Sequence, residues 1–551
     1  MNLREKPYNL NDKEVAWVEE KLSALSLEQK VGQLFCLMGG DYPIEQLKSM
    51  VGEKGVGAIL YRPAPVSEIA ANYEKLDKVA PVPLLKAANL EEGGSGGTSD
   101  GTLFGWPMTV GATGDSNVCK NFAKVCALEG KQVGINWTFS PVSDLSINPL
   151  NPITNVRAFG DELELVKAMT REYVNTIQAY GIAACAKHFP GDGVDFRDQH
   201  LHPTYNSLSA EKWYETYGAI YKNMIDAGLL SIMTGHIVSP AVSQNKNPNL
   251  QFEDCLPGSL SKELLTDVLR EEFGFNGVIT TDATIMGGYT MNMPREEAVV
   301  QSIKAGADML VFTTDFEQDY EALLAAVNAG IISEERLNES VLRILALKAV
   351  LCLRDYNLPD IDVAKAATEC ADKAVTLVKD TSAKYNDGAS YLPVTVEKYP
   401  KVRLVLLGED KLYDCSMKDT AVSFFTERGF DVNVYEPFLD DLHGTAKLKE
   451  DEITIYLANE QTASNRTTVR LNWCPKHALD IPRFIHEQKS IFISLSNPYH
   501  LMDIPRVPVY INTYSATKVL LEQALSKILG ESEFTGRSPV DAFCGMEDTK
   551  I

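Results

Sequence analysis

The chain has 551 residues, of which 45% are hydrophobic and 23% charged. That composition excludes a mainly disordered chain and fits two or three domains with sizeable cores. Lys and Arg number 52 against 75 Asp and Glu, a net charge of -23, which argues against nucleic acid and anionic membrane surfaces as partners. No apolar run reaches the roughly 18 residues that span a bilayer. Residues Met1-Asn2-Leu3-Arg4-Glu5-Lys6 lack the apolar core of an export signal. The 10 cysteines form no CxxC pair. Free thiols in a reducing cytoplasm are therefore expected, not a disulfide framework.

Up to about residue 350, short apolar runs alternate with longer amphipathic ones. The runs at 56–61, 84–88, 137–141, 183–189, 229–233, 278–281 and 309–312 read as strands. Helices are predicted between them: one capped by Asp115, then 161–180, 210–226, 261–273, 295–305, 316–329 and 333–348. Such alternation implies a parallel sheet. Seven strands, with room for an eighth, favour a closed barrel over an open sheet. A second α/β unit follows, with strands predicted at 402–407, 432–435, 453–457, 491–495 and 509–511. The stretch 351–380 joins the two units.

A barrel carries its chemistry at the C-terminal ends of its strands. The residues just past those ends are polar: Asn89 with Glu91-Glu92-Gly93-Gly94, Asp144, Lys187-His188, His236 and Asp282. The densest segment, 187–202, holds His188, Asp192, Asp195, Asp198, His200 and His202. Asp198-x-His200-x-His202 offers metal-ligand chemistry, but in a glycine-containing loop and not at helical spacing. The other reading is an Asp–His pair, in which Asp198 orients His200 as a general acid/base. Asp282 ends an apolar strand, where a partly desolvated carboxylate can serve as a nucleophile or simply cap a turn. The run Gly93-Gly94-Ser95-Gly96-Gly97 lacks the Gly-Lys-Ser/Thr ending of a phosphate loop. It reads as a flexible loop beside a pocket.

Together these residues resemble glycoside hydrolase family 3, most closely its β-N-acetylglucosaminidase branch. The histidine loop Lys187-His188-Phe189-Pro190-Gly191-x-Gly193 with Asp198-x-His200 carries the resemblance. So do Leu269-Arg270-Glu271-Glu272-Phe273-Gly274 with Thr281-Asp282, and Phe139-Ser140-Pro141-Val142-x-Asp144 with Arg157-Ala158-Phe159-Gly160. Further matches are Arg343-Ile344-Leu345-Ala346-Leu347-Lys348 at the end of the barrel and Phe534-Thr535-Gly536-Arg537-x-Pro539-Val540 in the second domain.

The resemblance implies a TIM-like (β/α) barrel over 1–350, a linker over 351–380 and a C-terminal α/β sandwich domain over 381–551. It makes Asp282 the nucleophile, His200 the acid/base and Asp198 its partner. It places Lys187, His188 and Arg157 in sugar binding, and Asn89 and His236 are candidates for the same role. No metal or cofactor is implied, and the partner is a small carbohydrate. The second domain is a candidate surface for pairing two copies.

Four departures from the family pattern stand out. The run that reads Gly-Gly-x-Val-x-Arg in the family reads Gly93-Gly94-Ser95-Gly96-Gly97-Thr98 here. Asp192 replaces the His after Pro-Gly, Gln199 replaces the Ser between Asp and His, and Asn89 replaces an Asp. The implied reaction is retaining, exo-acting hydrolysis of terminal β-linked N-acetylglucosamine. Phosphorolysis of N-acetylglucosaminides or glucosides by the same residues stays open, as does a sugar-binding protein without turnover.

Overall fold

Eight parallel strands close a barrel in the computed structural model, which describes residues 1–436, 451–475 and 478–551. They are β1 Phe35–Met38, β2 Ala58–Leu60, β3 Leu85–Ala88, β4 Trp137–Thr138, β5 Ala183–Phe189, β6 Ser231–Thr234, β7 Val278–Ala283 and β8 Met309–Val311. Closure runs through β1, whose Phe35 pairs with Leu310 and whose Cys36 pairs with Ala58. Both faces of these strands are covered, so they read as continuous apolar runs with no period-two alternation.

The closing strand β1 is the one the periodicity does not isolate. It follows helix Leu27–Gly32 almost without a break, and the two apolar patterns merge. The helix predicted over 210–226 is one element with a π-helical stretch at Tyr214–Gly218, and the one predicted over 261–273 is π-helical over Glu263–Glu272. Ser333 caps the last barrel helix, Glu334–Cys352, by accepting from the Arg336 N–H at 3.1 Å.

Two register shifts fall beside predicted site residues. The β5–β6 ladder is irregular between Ala186 and Phe189, which flank Lys187 and His188. The β8–β7 ladder is irregular between Met309 and Val311, where Val311 pairs with Ala283, next to Asp282. Such irregularities re-aim side chains at the mouth of a barrel.

The chain divides into two units. The barrel unit comprises Met1–Phe104, Cys119–Leu145 and Val166–Ile361. The second comprises Gly105–Val118, Ser146–Leu165 and Asp362–Ile551. Its six-stranded sheet consists of β9 Thr376–Asp380, β10 Lys401–Gly408, β11 Asp431–Val434, β12 Glu452–Asn459, β13 Ser490–Ser494 and β14 Val509–Asn512, in the order β9-β14-β13-β12-β10-β11. Among the described residues of this sheet, only β9 pairs antiparallel.

Side chains alternate across this sheet. Ile453, Ile455 and Leu457 face a core that includes Phe424, Phe425, Leu521 and Leu525 from two helices. Tyr456, Phe492 and Tyr510 face the other way and stack across three strands at 5.8 Å spacings. The stretch 351–380, read as a joint, holds helix Val363–Ala374 and the edge strand β9. Residues 105–118 and 146–165 join this unit because Met108, Ala112 and Val156 pack with Ala374, Tyr499, Tyr514 and Val540 in one apolar cluster. No helix among the described residues is long and apolar enough to cross a membrane.

Candidate active site

The C-terminal ends of β3, β5, β6 and β7 bring most of the predicted residues into linked contacts. Asp282 sits at the end of β7 with its side chain 15% exposed. Its Oδ1 accepts from the Ala283 N–H at 2.7 Å. Its Oδ2 has no hydrogen-bond donor among the described residues, and His188 Nε2 stands 3.9 Å away. Burial raises the Asp282 carboxyl, but His188 first, then His236, His200 and the Ala283 N–H, more than offset it. The group is held below its ordinary value. At neutral pH it is an anion with one oxygen left unengaged.

His200 lies in the loop after β5. Its Nδ1 donates to Asp198 Oδ1 at 2.6 Å, and the same oxygen accepts the His200 N–H at 2.8 Å. A carboxylate only accepts, so Nδ1 carries the proton and Nε2 is the exchanging nitrogen. Asp198 is fully buried, whereas His200 is 27% exposed, enough to reach a ligand. Among the described residues Asp198, His200 and His202 are not gathered as a group of three that could hold a metal ion.

Lys187 and His188 end β5 and are buried. Lys187 Nζ ion-pairs with Glu91 and donates to Asn89 Oδ1 at 3.1 Å. His188 Nδ1 donates to Asp144 Oδ2 at 2.7 Å, which turns Nε2 toward Asp282. Asp144, fully buried, also accepts the N–H groups of His188 at 3.1 Å and Asp192 at 2.8 Å. Asp144 and Glu91 orient the cationic and imidazole groups here. The sequence pattern assigns neither a role in the site, although both follow a predicted strand end.

His236 follows β6. Its Nε2 lies 3.0 Å from the Ala283 carbonyl and its Nδ1 2.8 Å from Ser259 Oγ. A carbonyl only accepts, so Nε2 holds the proton and Ser259 donates to Nδ1. Burial pushes the His236 pKa down to about 4, against the pull of Asp282. His236 is thus a neutral clamp on the residue after Asp282, with both ring nitrogens already engaged. Arg157 lies in a short 3₁₀ turn, Asn155–Arg157, assigned to the second unit. Its guanidinium donates to the Ile153 carbonyl at 3.4 Å.

The two departures in the histidine loop touch each other. Gln199 Nε2 donates to Asp192 Oδ2 at 3.0 Å, and Gln199 Oε1 accepts the His236 N–H at 2.8 Å. Farther out, Asp195 Oδ1 and Oδ2 both accept from the Arg197 guanidinium, at 2.6–3.1 Å. Burial raises the Asp195 carboxyl, yet Arg197 and two backbone N–H groups lower it below its ordinary value.

This arrangement supplies an anionic carboxylate, an Asp-backed imidazole and a polar Lys–Glu–Asn group, a set chemically able to support acid/base and nucleophilic catalysis. The chain is 40% identical to the β-N-acetylglucosaminidase/β-glucosidase of Cellulomonas fimi, over the full length of both. Its fold matches the β-glucoside phosphorylase BglX bound to 2FGlc with a TM-score of 0.90 and 40% identity, covering 99% of each chain. It matches a β-N-acetylglucosaminidase of family 3 from Paenibacillus sp. str. FPU-7 with a TM-score of 0.76 and 26% identity, covering 94% of this chain and 99% of that one. Residues 26–347 match the glycosyl hydrolase family 3 N-terminal domain, and with full-length identity of this order the chain belongs to that family as an enzyme.

Proposed function

We propose that the protein cleaves terminal β-linked N-acetylglucosamine or glucose by double displacement through a covalent glycosyl-enzyme. The observation that carries this reading is the presence of an ionised, half-engaged Asp282 and a partly exposed, Asp198-backed His200. In the first step Asp282 Oδ2 attacks the anomeric carbon. The bond from that carbon to the leaving oxygen breaks, and His200 Nε2–H protonates the oxygen. In the second step His200, now neutral, takes a proton from the acceptor, which attacks the same carbon and releases Asp282. Two inversions retain the β configuration. Lys187, Glu91, Asn89 and His188 are the groups proposed to grip the sugar. The likeness to the Cellulomonas fimi β-N-acetylglucosaminidase/β-glucosidase supports hydrolysis, of N-acetylglucosaminides and of glucosides alike.

A second reading has its own support. The deprotonated acid/base is a neutral imidazole, where most retaining glycosidases hold a carboxylate. A carboxylate repels phosphate, and an imidazole does not. Phosphate can then replace water as acceptor, and the product is a sugar 1-phosphate. The BglX likeness points the same way. Product analysis of aryl β-N-acetylglucosaminide and β-glucoside turnover, with and without phosphate, separates the two. Free sugar under both conditions supports hydrolysis, and sugar 1-phosphate formed only with phosphate supports phosphorolysis. No turnover under any of these conditions overturns both.

A further inference from the structure

We infer that Gln199 is a positioning residue that locks the acid/base loop to the strand end bearing the nucleophile, with Asp192 as its second anchor. The inference rests on the reading of His200 as acid/base and Asp282 as nucleophile. Gln199 stands between Asp198 and His200, so any slack in its position moves both members of the pair. Its side chain is fully buried. The amide orientation follows from its neighbours: the His236 N–H can only donate, so Oε1 faces it, and the NH₂ faces the Asp192 carboxylate. The Gln199 carbonyl also accepts from the Gly288 N–H at 3.2 Å.

Each anchor is itself held. Asp192 donates its N–H to Asp144 at 2.8 Å, accepts the Gly193 N–H at 2.7 Å through Oδ1 and accepts Tyr217 Oη at 2.6 Å through its carbonyl. Asp144 also holds His188, which ends β5. On the other side, His236 Nε2–H grips the Ala283 carbonyl, and the Ala283 N–H grips Asp282. One side chain therefore ties the loop both to the end of β5 and, through His236, to the residue after the nucleophile.

Serine in this position carries a single oxygen one bond beyond Cβ. It cannot reach Asp192 and His236 together. A histidine at 192 with a serine at 199 would form a different contact, so Asp192 and Gln199 act as one feature. Their effect is to set where His200 Nε2 stands relative to Asp282. A misplacement of about 1 Å at such a group costs on the order of 10²-fold in rate.

The test uses the full chain in three forms: Gln199→Ser, Gln199→Glu and the double variant Asp192→Asn with Gln199→Glu. The double variant reverses the polarity of the contact, with an Asn amide donating to a Glu carboxylate that still accepts the His236 N–H. Turnover is measured on an activated aryl glycoside and an unactivated alkyl glycoside of the same sugar, alongside thermal unfolding. Both single variants are expected to lose about 10²-fold in kcat on the alkyl glycoside and less than about tenfold on the aryl one, with KM nearly constant. The double variant is expected to recover at least about tenfold over Gln199→Glu. Equal losses on both substrates, or no recovery in a double variant that unfolds at the wild-type temperature, overturn the inference. Wild-type protein inert toward both glycosides, with and without phosphate, overturns the acid/base reading beneath it.

Discussion

The two ends of the barrel each hold an aspartate withdrawn from solvent, and they use it in opposite ways. Asp282 closes β7, and Asp308 immediately precedes β8. Burial raises both carboxyls, and neighbours hold both below their ordinary value. At Asp308 those neighbours are guanidinium groups that engage it directly. Arg270 donates to Oδ2 at 2.5 Å and the Ile279 N–H at 3.0 Å. Ser340 reaches Oδ1 at 2.8 Å, with Arg336 and Arg343 at 3.5 and 3.4 Å. Both oxygens there are fully engaged, and the carboxylate fastens helix Glu334–Cys352 beneath the strands. At Asp282 no side chain engages the carboxylate directly: His188 Nε2 stands 3.9 Å away, and Oδ2 accepts no hydrogen bond among the described residues. Ionisation alone therefore does not mark a nucleophile. The attack proposed for Asp282 also requires an unengaged oxygen at the mouth of the barrel.

This contrast can be broken most severely at Asp282. Asp282→Asn removes the attacking oxygen and is expected to lower kcat by about 10⁴-fold or more with an unchanged melting temperature. Steady-state kinetics beside thermal unfolding check this, and survival of most activity contradicts the assignment. Next is His200→Ala, which should cost about 10²–10⁴-fold on substrates with poor leaving groups and far less on activated aryl glycosides. Equal losses on the two series count against an acid role. Asp308→Ala should invert the pattern. It leaves Arg270 without a carboxylate partner and Arg336 and Arg343 with only the more distant Glu339, and should lower stability by about 3–5 kcal/mol, with kcat per folded molecule little changed.

Acid should sharpen the same distinction. His236 and His500 are buried, with pKa values pushed down to about 4 by desolvation. The unfolded chain takes up protons from about pH 6.5 downward, while the folded chain refuses them until about pH 4. Stability should rise with pH across that window and fall on acidification, by up to about 3 kcal/mol per histidine. Denaturant unfolding at pH 7 and pH 5 reads this, and a flat profile contradicts the burial of these rings. The smallest effect is expected at Asn89→Asp, which keeps the acceptor for Lys187 Nζ beside Glu91. KM should move by less than about tenfold, or 1.4 kcal/mol.

Local pattern carries much of this into view. Seven barrel strands stand out because each apolar run is bounded by polar or glycine residues, and β1 does not because its run merges with the helix before it. Asp198 and His200 are legible from their two-residue spacing, since that spacing lets a carboxylate reach the Nδ1 of the following ring. Contacts that depend on how the loop folds are not legible. Gln199 and Asp192 read as separate departures from a family pattern until the 3.0 Å contact joins them. Asp144 lies 44 residues from His188, and spacing says nothing about that bond. The assignment of 105–118 and 146–165 to the second unit is equally hidden, because Met108 and Val156 look like any other core residues until their shared cluster is seen.

The central claim is a covalent glycosyl-enzyme on Asp282. Incubation with an activated aryl 2-deoxy-2-fluoro-β-glucoside slows both steps but spares the first through its good leaving group, so the intermediate accumulates. Mass spectrometry of the intact chain and its peptic peptides should find one fluoroglucosyl unit, on the peptide containing Asp282. An adduct on another carboxylate, or steady turnover of the parent aryl glucoside with no adduct from its fluorinated analogue, would contradict the account.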